Sequence, residues 1–229
     1  MRLAVMQPYF LPYIGYFQLM AAVDKFVIYD DVNFIKRGWV NRNRILLYGR
    51  AHSIVIPLQS ASQNRRINEI ELVSERSWRT RMLKTVRHAY SKAPQFENVF
   101  ALVSTIVNFD EDNLSRYLFN TLKSIRDYLG IKTELVPTSA IYANRSLKGQ
   151  TRILDICRQE RASVYLNLSG GEELYAEGIF CADGVALRFL APPEIRYRQF
   201  GDSFQPNLSI VDVLMFNPIK KITSIFLPT

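Results

Sequence analysis

The sequence predicts an α/β fold: a mostly parallel sheet flanked by helices, with a β-hairpin insertion and a helical subdomain. Three observations predict it. Short apolar stretches of strand length alternate with amphipathic helical stretches in both the first and the last third of the chain. Several of those strands end in polar or small residues: Gln7-Pro8, Asp30-Asp31 and Ser169-Gly170-Gly171. Ligands of open parallel sheets bind at such strand ends. The chain has 229 residues and no internal repeat or low-complexity segment. One α/β domain spanning 1–229, with 75–130 a mostly helical subdomain, accounts for that length.

Each element has a local reason. Leu3–Met6 is a short apolar strand that runs into Gln7-Pro8 and an aromatic loop, and Ile14–Ala22 can then form a short helix. Phe26–Tyr29 is the second strand and ends in Asp30-Asp31. Residues 44–48 and 52–57 flank Gly49-Arg50-Ala51, a turn-sized gap with the glycine a hairpin turn needs. Ser74 or Ser77 caps a helix that runs to about Lys92 and is stopped by Pro94. A second helix covers Phe96–Val107. A third, capped by Asp110 or Asp112, carries Leu114, Tyr117, Leu118, Leu122 and Ile125 at spacings of three and four, and Gly130 ends it. Strand Thr133–Val136, helix Gln150–Arg161, strand Val164–Leu166, helix Leu174–Phe180 and strand Gly184–Leu190 follow. Pro192-Pro193 breaks the last strand, and Ser209 caps a helix over Ile210–Phe216 with Asp212 at a capping-box-like position.

Composition bounds the function. Basic residues exceed acidic ones by 29 to 21, a net charge of +8, which favours anionic partners. They are dispersed along the chain with no tail or continuous block, which suits a small phosphorylated ligand better than a nucleic-acid track. Two cysteines 24 residues apart and two histidines argue against a disulfide framework, a Cys-rich zinc site or a His-rich metal site. Free thiols imply a reducing compartment. Gln7, Pro8, Pro12, Gly15 and Gln18 interrupt the apolar N-terminal run, unlike the unbroken core of a signal peptide. No stretch has the roughly 18 apolar residues a membrane span needs. The expected protein is cytoplasmic, has no membrane span, and is compatible with a homo-oligomer.

Candidate site residues gather in four groups. Gln7, Tyr13, Gly15 and Tyr16 lie on the loop after the first strand, where an amide and several ring faces suit a ligand. Asp30 and Asp31 can accept a proton or hold a hydroxyl or amine. The Arg37, Asn41 and Arg42 that follow can hold phosphate, and Trp39 among them is a large ring on a polar loop that needs something to cover. Ser169, Gly170 and Gly171 follow a buried strand and precede a helix, where backbone N–H groups can face an anion. Gln199 is a polar residue in the loop before the last helix. His88, on the first long helix, is a candidate general base.

Taken together, QPYFLPYIGYF (7–17), DKFVIYDDVNFIKRGWVNRNRI (24–45), IPL (56–58), AYSKAPQF (89–96), LNLSGGEELY (166–175) and PNLSIVDVLMFN (206–217) resemble the WbqC-like family of bacterial proteins. That family is found with genes for surface-polysaccharide (O-antigen) synthesis. The resemblance implies a cytoplasmic step in making or modifying a nucleotide-linked sugar for lipopolysaccharide synthesis, without defining the reaction; the leading reading is a transferase that moves an acyl or aminoacyl group onto a nucleotide-linked amino sugar. It implies no particular cofactor. A weaker resemblance is to nucleotidylyltransferases and pantothenate-synthetase-like ligases, and it implies a Rossmann-like sheet of HUP type. Their first loop carries a HxGH-type motif. The comparable Pro12-Tyr-Ile-Gly15-Tyr16 keeps the glycine and has neither histidine. Tyr16 can donate a hydrogen bond but cannot supply the positive charge that steadies a phosphoryl transition state. An ATP-dependent ligase is therefore the alternative to the transferase, and a non-catalytic assembly protein of the same pathway is the second.

Overall fold

The computed structural model describes residues 1–201 and 203–227. In chain order the elements are β1 (Arg2–Met6), α1 (Ile14–Ala21), β2 (Lys25–Ile28), β3 (Arg42–Leu47), β4 (Arg50–Val55), β5 (Leu58–Gln59) and β6 (Glu71–Leu72). Then come α2 (Ser77–Tyr90), α3 (Phe96–Val107), α4 (Leu114–Tyr128), β7 (Glu134–Val136), α5 (Gly149–Gln159) and β8 (Val164–Leu168). The last are α6 (Glu177–Ala182), β9 (Ala186–Leu190), α7 (Ile210–Phe216) and a short helical tail from Ile219.

Five strands form one parallel sheet in the order β7-β2-β1-β8-β9. By position in the sheet this is 3-2-1-4-5, the order of a Rossmann-like fold, and the order reverses between β1 and β8. Successive strand residues face opposite sides, so one strand feeds two cores. Leu3 and Val5 of β1, Val27, Tyr165 and Leu187 join Ile153, Ile156, Cys157 and Phe180 of α5 and α6. Ala4, Phe26 and Ile28 join α1, the β3–β4 hairpin, α2, α3, α4 and α7 in a larger core. The sheet is covered on both faces, which is why its strands read as apolar runs rather than as alternating polar and apolar residues.

Everything between β2 and β7 departs from the simple alternation of strand and helix. The β3–β4 ribbon, the β5–β6 pair and helices α2–α4 are inserted here, and their buried residues belong to the larger core. The hairpin turn is Tyr48-Gly49, not the three-residue gap the sequence suggests, because Leu47 pairs with Arg50. Both turn residues have positive φ, 51° and 71°, as a primed two-residue turn requires. Helix α4 buries Leu114, Tyr117, Leu118, Leu122 and Ile125, but its cap is Asn113, whose side chain accepts from Arg116 N at 3.1 Å. Asp110 is instead paired with Arg76. Among the described residues no helix is long and apolar enough to cross a membrane.

Candidate functional site

The carboxyl ends of β1 and β2 launch two loops that are bonded to each other. Phe10 N donates to Val40 O at 3.1 Å and to Trp39 O at 3.3 Å. Inside the first loop the buried Leu11 has φ +44°, a left-handed conformation that costs a branched residue about 1–2 kcal/mol. Two clamps hold it there. Asn43 Nδ2, on β3, donates to Phe10 O (3.1 Å) and Leu11 O (2.8 Å). Ser209 Oγ, at the start of α7, donates to Leu11 O at 2.7 Å while accepting from Val211 N. Tyr16, fully buried, donates its hydroxyl to Gln7 O at 3.0 Å and so closes the loop from behind. Tyr16 therefore lies under the loop rather than on its surface. The side-chain amide of Gln7 has no hydrogen-bond partner among the described residues, and it stands at the end of β1, beside the point where the strand order reverses.

Three hollows open around these loops. The first, about 320 Å³, is lined by Tyr9, Pro12, Tyr13, Trp39, Arg44 and neighbouring amides. The second, about 300 Å³, lies beyond Tyr13 and is lined by Gly15, Gln18, Tyr197 and the Pro192–Ile195 segment among others. Tyr13 and Asn207 line both, so the two are neighbours. Gly15 is where the ring of Tyr13 folds back: a Cβ at this position would stand 2.4 Å from Tyr13 Cε2. Gln18 is buried and its Oε1 has no partner, while its Nε2 donates to Phe226 O at 2.7 Å. The third hollow, about 250 Å³, holds Lys36, Arg37, Asn41 and Arg42 against Phe34, Leu58 and Ala61. No carboxylate lines it, and Arg42 Nε is buried without a partner. Phe34 N bonds Arg65 O at 2.9 Å, so the Arg65-Arg66 pair is drawn to the same side. The side chains of Arg65 and Arg66 are themselves bonded at Glu69, and the three cations of the hollow all come from the 36–42 segment.

The two aspartates at the end of β2 are held differently from what a free base requires. Asp30 is buried and accepts from Ser115 Oγ (2.5 Å), Thr138 Oγ1 (2.7 Å) and Ser139 N (3.1 Å). Asp31 is buried against Arg152, whose guanidinium reaches both carboxylate oxygens at 2.6 Å, with Arg145 at 3.3 Å and the Ser139 hydroxyl also donating. Burial alone would raise the Asp31 carboxyl, but the Ser139 and Arg152 bonds outweigh it and hold it below the ordinary carboxylate range. Both residues tie the end of β2 to the segment after β7, Asp30 also to α4, and Asp31 also to α5.

The other expected residues fall elsewhere. His88 is exposed on α2, where Nε2 meets the Tyr48 hydroxyl at the hairpin turn, in a separate hollow with Ser91 and Lys92. Ser169, Gly170 and Gly171 open a 3-10 turn, Ser169–Leu174, and the α-helix begins only at Glu177, so no long helix N-terminus faces them. A Cβ on Gly171 would stand 3.3 Å from Asn167 Nδ2, a tight approach to that side chain, whereas Gly170 has open space. Gln199 is buried, and its amide is fully used by Asp212 and Gln205. Asp212 does not make a capping box. It accepts from Tyr90 (2.7 Å), Tyr197 (2.7 Å) and Gln199 (2.6 Å), while Ser209 N goes to Arg44 O. Burial pushes the Cys157 thiol up to about 12, which makes it a poor nucleophile. Among the described residues no group of three or more His, Cys, Asp or Glu is placed to hold a metal ion.

Sequence reasoning missed Tyr9, Gln18, Arg44 and Asn207 as lining residues. The only signal was the aromatic richness of the first loop and the alternation Arg42-Asn43-Arg44, in which a strand puts neighbours on opposite faces.

A family model described as the WbqC-like protein family matches residues 7–224 of the chain. A protein of Mycobacterium tuberculosis named uncharacterized protein Rv1507c is 30% identical over 220 residues, covering 94% of this chain and 93% of that relative. No solved structure matches. With nearly the whole chain matched on both counts, the protein belongs to the WbqC-like protein family.

Proposed function

We propose that the protein is a transferase acting on a nucleotide-linked amino sugar of bacterial surface-polysaccharide (O-antigen) synthesis, by acyl or aminoacyl transfer. The observation that carries this is the carboxylate-free hollow of Lys36, Arg37, Asn41 and Arg42. It sits in loops following the carboxyl end of β2, in a sheet whose order reverses nearby. Three cations with one buried, unpartnered N–H suit a diphosphate, which accepts several charge-assisted hydrogen bonds. Gln7 and Tyr13 then face the sugar from the first loop. The unpartnered Gln18 Oε1 suits a hydroxyl or amine donor.

In this reading Asp30 and Asp31 position the loops rather than accept protons, since every oxygen of Asp31 is already engaged by a cation. His88 lies outside the site, in a separate hollow. Transfer from an acyl thioester would form a C–N bond to the sugar amine and break the C–S bond, with the amine proton leaving on the thiol.

A thermal-denaturation series with nucleotide-sugars tests the reading. A ligand at a hundredfold excess over its Kd adds about 2.7 kcal/mol of stability. The shift should vanish in Arg37→Ala/Arg42→Gln. No shift with any nucleotide-sugar, or an undiminished shift in that double variant, overturns the proposal.

A further inference from the structure

The hollow of about 320 Å³ on the other side of the 36–42 loop has a different chemistry. Its one cation is Arg44. The guanidinium lies over the Trp39 ring, 5.2 Å from its centroid, within cation–π range. Of its five N–H donors, only one makes a contact, at 3.5 Å to Asn207 O, and the buried Nε has none. No carboxylate lines the hollow. The other Nη donors of Arg44 have no partner among the described residues, so the guanidinium can receive an acceptor. A single guanidinium balances a single negative charge, as on a carboxylate, whereas a doubly charged phosphate is better matched by the three cations of the neighbouring hollow.

The remaining lining describes the rest of the ligand. Tyr9, Tyr13 and Trp39 present ring faces, which cover the C–H face of a saturated or aromatic ring. Burial raises both the Tyr9 and Tyr13 phenols, so each keeps its proton and can donate to a hydroxyl oxygen. Trp39 is 44% exposed although Arg44 lies over one part of its ring, so much of the indole is open to a ligand.

We infer that this aromatic hollow binds a sugar ring bearing one carboxylate, of the uronic acid class, held by Arg44 and laid against Trp39 and Tyr13. The inference deepens the nucleotide-sugar reading and rests on it for placing the diphosphate in the neighbouring basic hollow. The carboxylate contact itself depends only on Arg44 and its rings.

Tryptophan fluorescence tests it directly. The chain has two tryptophans, and Trp78 is buried away from this hollow. In a Trp78→Phe background Trp39 is the sole reporter. Uridine diphosphate glucuronate is expected to change its emission saturably, with an affinity about tenfold or more above that for uridine diphosphate glucose. Arg44→Gln should erase that preference, and Arg44→Lys should weaken it by about tenfold by losing the fork. Free glucuronate should be preferred over glucose 1-phosphate in the same assay. If Trp78→Phe fails to fold, calorimetric titration of the native protein against Arg44→Gln gives the same comparison. Equal affinity for the two nucleotide-sugars, or a preference that survives Arg44→Gln, overturns the inference and leaves the nucleotide-sugar reading standing. Glucuronate binding without binding of any nucleotide-sugar does the reverse.

Discussion

Asp31 and Asp212 are the same residue type, equally buried, and held in opposite ways. Asp31 sits between guanidiniums, with Arg152 on both oxygens, and its carboxyl lies below the ordinary range. Asp212 meets no cation. Burial raises its carboxyl, and bonds from Tyr197, Tyr90 and Gln199 only partly offset that. Each joins distant segments: Asp31 links β2 to α5, and Asp212 links α7 to α2 and to the loop before α7. Burial therefore does not decide what a carboxylate is for. Its partners do. A salt-bridged carboxylate is committed to its charge, whereas one held by neutral donors is closer to accepting a proton.

The largest break in this comparison should come from Arg152→Gln. It strands a buried charge and also removes the Arg152 contacts to Asn144 and the Tyr29 ring, so denaturant unfolding at pH 7 should show a loss of about 3–5 kcal/mol. A loss below about 1 kcal/mol would mean that Asp31 is solvated. Tyr90→Phe should cost about 2 kcal/mol, because the hydroxyl serves both Asp212 and, as acceptor, Leu46 N at 2.9 Å. Tyr197→Phe removes a single bond to the same carboxylate and should cost about 1 kcal/mol in the same measurement.

The pH dependence separates the two sites further, with opposite signs. The folded pKa of Asp31 is depressed, so its ion pair stabilises the fold above the unfolded value of about 3.9 and is lost as pH falls through the lower folded value. Melting temperatures below pH 4 should drop less steeply in Arg152→Gln than in the native protein. The folded pKa of Asp212 is raised, so the folded state holds that proton more tightly. Stability from this group is present at low pH and declines as pH rises from about 4 through the folded value. Asp212→Asn should flatten that decline, the smallest of these effects. An unchanged profile in Asp212→Asn would place the ionisation elsewhere.

Much of the fold was legible because burial on one face leaves a local period. Helices α3 and α7 begin and end where their apolar spacing predicts, at Phe96–Val107 and Ile210–Phe216. The run Leu174–Phe180 was less legible. It divides between a 3-10 turn and α6, since Ser169–Leu174 buries no residue that would fix a helical face. Of the residues lining the candidate hollows, Tyr13, Gly15 and those after Asp31 could be named from the sequence but their partners could not, and Gln7 lines none of these hollows. Arg152 reads as one more basic residue on an amphipathic helix. Its carboxylate lies 121 residues away.

The sequence by itself determined the parallel α/β sheet and the family. These follow from apolar periods, turn residues and motifs, all of which are local. Only the tertiary structure decided that Asp31 is locked by Arg152, that Asn43 and Ser209 hold Leu11 in its left-handed turn, and that Arg44 and Trp39 share a hollow with Tyr13. Those pairings form between segments far apart in the chain. The energy of a buried charge or an unpartnered donor depends on what the fold brings within about 3 Å of it, and no local period records that.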